Sequence, residues 1–225
     1  MTASAGLARL ERQICRCEAC PRLAKFRREI AKRPPRRHAG EAYWARPVPG
    51  FGDPGARIVL VGLAPGAHGS NRTGRMFTGD ASGDFLFPAL HRAGLASQPR
   101  AASRDDGLTL RDCWITAAAR CAPPGNKPAP RELDACRPWL GRELALLRNV
   151  RVLLAIGRIG HEAVLRLFGE RQSKWPFAHG AVHRIPGRAA LLDSYHVSRQ
   201  NTNTGRLTAV MFEGILARAR ELARQ

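Results

Sequence analysis

The residues from Ile58 to Leu86, I-V-L-V-G-L-A-P-G-A-H-G-S-N-R-T-G-R-M-F-T-G-D-A-S-G-D-F-L, leave few folds open to the chain. Ile58–Val61 is a short apolar run rich in β-branched residues, and the Gly and Pro that follow mark the end of a buried strand. The chain then turns polar. Between Gly62 and Asp84, His68, Asn71, Arg72, Thr73, Arg75, Thr78, Asp80 and Ser82 are interleaved with glycines, so backbone can approach a ligand while polar side chains converge on it. Ser82-Gly83-Asp84 then opens an apolar Phe85, Leu86, Phe87, Leu90 pattern, which predicts a helix over 84–93 whose first amides are free to face an anion. Strand, polar loop and helix N-terminus in that order form the ligand-facing rim of an α/β sheet. The loop carries neither G-x-G-x-x-G nor G-K-[ST], so it is not one of the common nucleotide loops.

The alternation continues downstream. A second strand is expected within Leu108–Ala118, beginning near Cys113, a third at Val150–Ile156 and a last core strand at Ala189–Asp193. Helices are expected at Pro130–Leu147, split at Pro138, after Gly160, and at Leu207–Ala223. His161 reads as a helix-start residue rather than a catalyst, and Phe177–Gly180 with His183 as a loop and short strand. Leu7, Leu10 and Ile14 fall on one helical face. Residues 33–57, rich in Pro, Gly and Arg, read as a long extended surface connection in which Arg33, Arg36 and Arg37 could meet phosphates and Trp44, Pro47 and Pro49 could border a pocket. Strand and helix in turn predict a parallel sheet covered on both sides, in one domain of 225 residues.

Charge narrows the partner. With 37 Lys+Arg against 18 Asp+Glu, the formal net charge is +19, a field that draws in polyanions, above all nucleic acid. No run of eighteen apolar residues and no apolar signal core appear, which predicts a soluble, cytoplasmic chain with no membrane partner. Six cysteines in such a chain point to metal or thiol chemistry rather than disulfides. Cys17 and Cys20 stand at C-x-x-C spacing, and Cys121 and Cys136 form a distant second pair. Four thiolates brought together hold either an iron-sulfur cluster or a tetrahedral zinc, and ligand softness does not choose between them. Acidic residues near the proposed rim, Asp80, Asp84 and Asp193, are too few for a two-metal nuclease. A non-catalytic nucleic-acid-binding module with a structural metal explains charge and cysteines, yet leaves the glycine-polar loop idle.

G-L-A-P-G-A-H-G-S-N-R-T-G-R-M-F-T-G-D from Gly62 to Asp80, together with H-V-S-R-Q-N-T-N-T-G-R-L-T from His196 to Thr208, resembles the two active-site motifs of the uracil-DNA glycosylase superfamily, in the form of its type-5 members. The resemblance implies a three-layer α/β/α sandwich with a central, mostly parallel four-stranded sheet, and an N-terminal helical segment that helps bind a cluster. It implies a structural 4Fe-4S cluster on Cys17, Cys20, Cys121 and Cys136, pinning that segment to the loop after Thr116. Cys15 and Cys113 fall outside the pattern, although Cys15 lies close enough to Cys17 to rival it. The implied activity is removal of uracil from double-stranded DNA by a monomer without a catalytic metal, leaving an abasic site.

Breaking an N-glycosidic bond builds positive charge on the sugar and negative charge on the departing base, so the site must stabilise both and admit one water. The resemblance gives Phe77 the stacked base, and gives His196, emerging after the last strand, a hydrogen bond to base O2 from a neutral ring. Backbone amides near Ala64, Pro65 and Gly66 would serve the same anion. Sister families carry Asp or Asn where this chain has Ala64, so the water falls to His68, Asn71 or Asp80, with Asn71 favoured and Asp80 stabilising the sugar cation or ordering the loop. Ala117 stands where related chains carry Asn in I-T-N; losing that base contact predicts tolerance of other damaged bases, including hypoxanthine. Ser82, Ser198, Arg199, Gln200, Asn201 and Thr202 are the expected DNA contacts, and the stretch Ser198–Thr204 suits a wedge that fills the vacated stack.

Overall fold

Four strands buried along nearly their whole length organise the computed structural model, which describes residues 3–225. The elements run α1 (Ala3–Cys15), α2 (Pro21–Lys32), β1 (Phe51–Gly52), β2 (Ile58–Gly62), α3 (Ser70–Thr73), α4 (Ala81–Arg92), β3 (Cys113–Ala117), α5 (Pro130–Leu146), β4 (Val152–Ile156), α6 (Arg158–Phe168), β5 (Val182–His183), β6 (Ala190–Ser194), α7 (Arg199–Asn203) and α8 (Ala209–Leu222). They build one sheet in the order β1-β3-β2-β4-β6-β5. β3, β2, β4 and β6 are parallel neighbours, whereas β1 and β5 pair antiparallel at the two edges. The expected four strands are thus the parallel core, and the two-residue edges extend it to six; β1 is too short to leave a periodic trace in sequence.

Side chains of successive strand residues point to opposite faces, and both faces are covered. Ile58 and Leu60 of β2, Ile115 of β3, Leu154 of β4 and Leu192 of β6 pack with Leu86 and Leu90 of α4 and Phe212 and Leu216 of α8. Val59, Val61, Trp114, Leu153 and Leu191 face the other way, against Leu140 of α5, Val164 and Leu165 of α6 and Leu7 of α1. Leu60 has no exposed surface, so a Leu60→Ala change would cost about 2–5 kcal/mol in transfer and cavity terms. No helix among the described residues is long and apolar enough to cross a membrane.

Local sequence explains most helix ends. Asp80 caps α4, its carboxylate accepting from the amides of Ser82 and Gly83, so the helix starts three residues earlier than its apolar pattern suggests. α5 runs unbroken through Pro138, contrary to the expected split. Pro138 and Asp134 are both exposed, so the carbonyl that loses its helical partner can bond water. The stretch 33–57 is irregular, as expected, apart from a 3-10 turn at Arg36–His38 and β1.

His161 is the fourth residue of α6 and is buried. Its Nε2 donates to the Trp175 carbonyl at 2.9 Å and its Nδ1 lies 2.8 Å from Asp193 Oδ1. His183 Nε2 approaches Asp193 Oδ2 at 2.9 Å, and the Ala178 amide donates to the same oxygen. Asp193, fully buried on β6, is therefore held by α6, by β5 and by the loop between them. These hydrogen bonds satisfy a carboxylate that would otherwise be costly to bury.

Candidate functional site

Parallel strands deliver their following loops to one edge of a sheet. At that edge the loops after β2, β3 and β6 surround a cleft of about 460 Å³. Ala64, Gly66, Phe77, Asp80 and Ser82 line it from the first motif, and His196, Ser198, Gln200 and Asn201 from the second. The Phe77 and His196 rings lie 6.3 Å apart, centroid to centroid, with their planes tilted by 35°. Burial pushes the His196 imidazole down to about 4, so the ring is neutral near pH 7 and can donate one hydrogen bond.

Phe77 is held in a conformation that L-residues seldom adopt, with φ at 53°, a strain that persists only where the surroundings impose it. Its neighbours do so. Thr73 Oγ1 donates to the Thr78 carbonyl at 3.2 Å, and Arg75 Nε donates to Thr78 Oγ1 at 3.0 Å. The Arg75 guanidinium makes a two-pronged pair with Asp106 at 2.8 and 2.7 Å. Gly62 completes the arrangement, because a Cβ there would stand 2.9 Å from Phe77 Cζ.

Asp80 presents two different oxygens. Oδ1 accepts the helix-capping amides at 3.0 and 3.1 Å. Oδ2 sits where a side chain on Gly66 would be, 2.7 Å from the position of its Cβ, and has no hydrogen bond among the described residues. Burial raises the carboxyl above its usual range, against the lowering effect of the Gly83 and Ser82 amides. An acidic group thus reaches the cleft despite Ala64.

Several expected residues stand elsewhere. Asn71 is fully buried; its Nδ2 donates to the carbonyls of Arg27 and Ala67, so its amide clasps α2 to the loop and is not in the cleft. The α3 turn rotates Asn71 inward and leaves Ser70, its neighbour, on the cleft wall. His68 also lies outside the lining, its Nδ1 2.9 Å from the Tyr43 hydroxyl, and burial, with Arg37, His38 and Arg72 nearby, lowers its pKa. Pro65 is buried, and Ala117, 1% exposed at the end of β3, belongs to the core that backs Phe77. Arg199 is exposed on α7, where Thr202 Oγ1 donates back to the Ser198 carbonyl; the expected wedge is thus a short helix rather than an open loop. Leu63, Met76, Gly125 and Asn126 complete the lining and were not singled out from sequence, where the only signal is the Gly-Asn turn after two prolines.

The cysteines separate into two environments. Cys17 and Cys20 lie in the turn between α1 and α2, Cys121 follows β3, and Cys136 is on α5. Cys121 and Cys136 lie within electrostatic reach of each other and of Cys17, and Cys136 of Cys20. Cys15, by contrast, has Glu11, Arg104 and Arg46 as its charged neighbours. Two N–H groups already point at sulfur, Arg27 Nη1 at Cys121 and the Arg120 amide at Cys136, each at 3.3 Å. Burial pushes the Cys121 thiol up to about 12 and the Cys136 thiol to about 11, so both carry protons that a metal would have to displace. Among the described residues, only His161, His183 and Asp193 bring three ligand atoms within 4.8 Å of one another.

Comparison with known proteins bears on the same residues. The family model described as the uracil DNA glycosylase superfamily matches residues 49–220. The chain is 61% identical over 207 residues to a type-5 uracil-DNA glycosylase of Thermus thermophilus, covering 92% of this chain and 94% of that protein. It is 48% identical over 220 residues to the protein of the same description from Mycobacterium leprae, covering 97% and 96%. A third, from Mycobacterium bovis, is 46% identical over 220 residues, covering 97% of this chain and 82% of that one.

Proposed function

The chain belongs to the uracil-DNA glycosylase superfamily, and we propose that it is a monofunctional glycosylase of base excision repair, releasing uracil and also hypoxanthine from double-stranded DNA. It acts as a monomer on chromosomal DNA in the cytoplasm and leaves an abasic site. The observation that carries this reading is that Phe77 and His196, far apart in the chain, face one cleft 6.3 Å from each other.

An everted base would lie on the Phe77 ring with its edge toward His196. As the glycosidic bond lengthens, negative charge gathers on the base, and the neutral His196 donates to O2 without giving up its proton. The Ala64 and Gly66 amides support the same oxygen. On the sugar side, Asp80 Oδ2 offers negative charge to the oxocarbenium ion and aligns the attacking water; Asn126, also on the lining, is placed to share that water. Ala117, at the end of β3 behind Phe77, carries no amide side chain to read the base edge, which supports acceptance of hypoxanthine beside uracil. Ser82, Ser198, Arg199, Gln200, Asn201 and Thr202 contact the strand around the everted nucleotide.

The thiols of Cys17, Cys20, Cys121 and Cys136 hold a 4Fe-4S cluster in this reading, supported by their electrostatic proximity to one another and by the two N–H groups directed at sulfur. Bound there, it supplies a cross-link between the α1–α2 turn, the loop after β3 and α5, and takes no part in the reaction. Arg22 reinforces the same junction through its ion pair with Glu132 at 2.6 Å.

The test is single-turnover release of uracil and of hypoxanthine from a duplex by the wild type, Phe77→Ala and His196→Ala. Each variant should lose at least about tenfold on uracil, given that one oxyanion donor is worth roughly 10²–10³. Near-normal rates in both would end the reading.

A further inference from the structure

The cleft leaves a second large opening unexplained. Between α1, α2 and residues 44–46 lies an open cavity of about 590 Å³. Both of its carboxylates are already engaged: Glu18 pairs with Arg27 and Arg28, and Glu11 with Arg104. Arg12, Arg16 and Arg46 also line it, all exposed, and none has an acidic partner among the described residues. Three unpaired guanidiniums thus converge on one concave surface.

Its aromatic wall is built under strain. The Trp44 ring lies beneath the Arg46 guanidinium at 5.5 Å and the Arg104 guanidinium at 4.8 Å. Between Trp44 and Arg46, Ala45 adopts φ of 48°, an uncommon conformation for a residue with a Cβ. It is fixed from both sides: the Ala45 amide donates to the Asn71 carbonyl at 3.0 Å, and Arg27 Nε donates to the Ala45 carbonyl at 3.0 Å. The Trp44 amide donates to the Arg72 carbonyl at 2.8 Å. The cavity therefore shares the 70–72 turn with the cleft, Ser70 facing one and the backbone of Asn71 and Arg72 carrying the other.

We propose that this cavity is a second DNA seat, in which Arg12, Arg16 and Arg46 grip the phosphodiester backbone of the substrate's flank outside the cleft. Guanidinium forks match phosphate oxygens in geometry and charge, and stacking on Trp44 holds the Arg46 fork at the cavity. The identity of the anion rests on the glycosylase reading above; the placement rests on the charge and shape of the cavity.

The experiment compares wild type with the triple variant Arg12→Ala, Arg16→Ala, Arg46→Ala on uracil duplexes of two lengths, one confined to the cleft and one with long flanks. Losing about three phosphate contacts should lower the slope of log K against log salt by roughly 2.7 on the long duplex. The triple variant should bind that duplex at least tenfold more weakly at moderate salt, bind the short one unchanged, and match the wild-type release rate when DNA is saturating. Equal weakening on both lengths, or an unchanged salt slope, overturns the proposal. So does inorganic phosphate that protects the wild type but not the variant against heat while duplex length has no effect, because the cavity would then be a small-anion site. Failure of the wild type to release uracil from either duplex would instead count against the glycosylase reading.

Discussion

Replacing Asp106 with Ala tests whether a residue outside the cleft holds Phe77 in its strained conformation. Asp106 accepts both Arg75 prongs and the amides of Ala102, Ser103 and Leu108. The Arg75 and Asp106 side chains are 5% and 12% exposed, so Asp106→Ala strands a nearly buried guanidinium. Breaking such a pair costs about 3–5 kcal/mol. In a chain of this length each kcal/mol moves Tm by roughly 2–4 °C, so a melt should drop by about 10 °C. The pH dependence follows from the same contacts. Burial works against the charged form of Asp106, but Arg75 and the three amides prevail and hold its carboxyl well below the usual range. A depressed carboxylate contributes stability above its unfolded pKa and loses it as pH falls through the folded value. The gap between wild type and Asp106→Ala should therefore stay flat over roughly pH 5 to 8 and narrow only in strong acid. Thermal melts from pH 8 into strong acid, with uracil release measured alongside near neutrality, decide the matter. A Tm change under about 2 °C, or a gap that widens in acid, would refute the reasoning, as would full uracil release by a variant that has lost the expected stability.

The pH profile of catalysis should belong to Asp80. Because burial raises the Asp80 carboxyl and keeps His196 neutral down to about 4, the acid limb of the single-turnover rate should vanish in Asp80→Asn and persist in His196→Gln, each slowed by roughly 10²-fold or more. A limb near pH 6.5, the ordinary imidazole range, that disappears with His196 would contradict this. For the thiols, anaerobically purified Cys136→Ser should lose its iron, its visible absorbance and part of its thermal stability, whereas Cys15→Ser should keep all three. Zinc in the wild type, or iron loss in Cys15→Ser, would count against the assignment.

What the sequence made legible follows from how much of the chain each signal constrains. Ile58–Gly62 and Val152–Ile156 are buried on both faces, so an unbroken apolar run was sufficient to find them. The rim was legible because parallel strands leave their loops at one edge, which puts Phe77 and His196 near each other by topology alone. Side-chain direction inside the loops was not. Ser70 and Asn71 are adjacent, both buried, and only the single turn of α3 decides which one lines the cleft. Asn126 escaped notice for a related reason: its φ of 56° is a backbone property of the turn that carries it onto the cleft wall. Ala117 sits in the core behind Phe77, a placement the residue names do not give because a residue at a strand end can face either the rim or the core, and its pairing with Gly62 in register is a property of the sheet.

The grip on Asp193 bears on where the work of recognition is done. Three residues before His196, the Asp193 carboxylate is held by two imidazoles and an amide from separate parts of the chain, so the His196 ring rides on a foundation with little freedom to adapt. An enzyme built this way offers a preset mould, and the bending and unstacking needed to fill it must come from the nucleic acid. Bases already loosened by mispairing would then enter most readily, making the ease of distortion itself part of how damage is found.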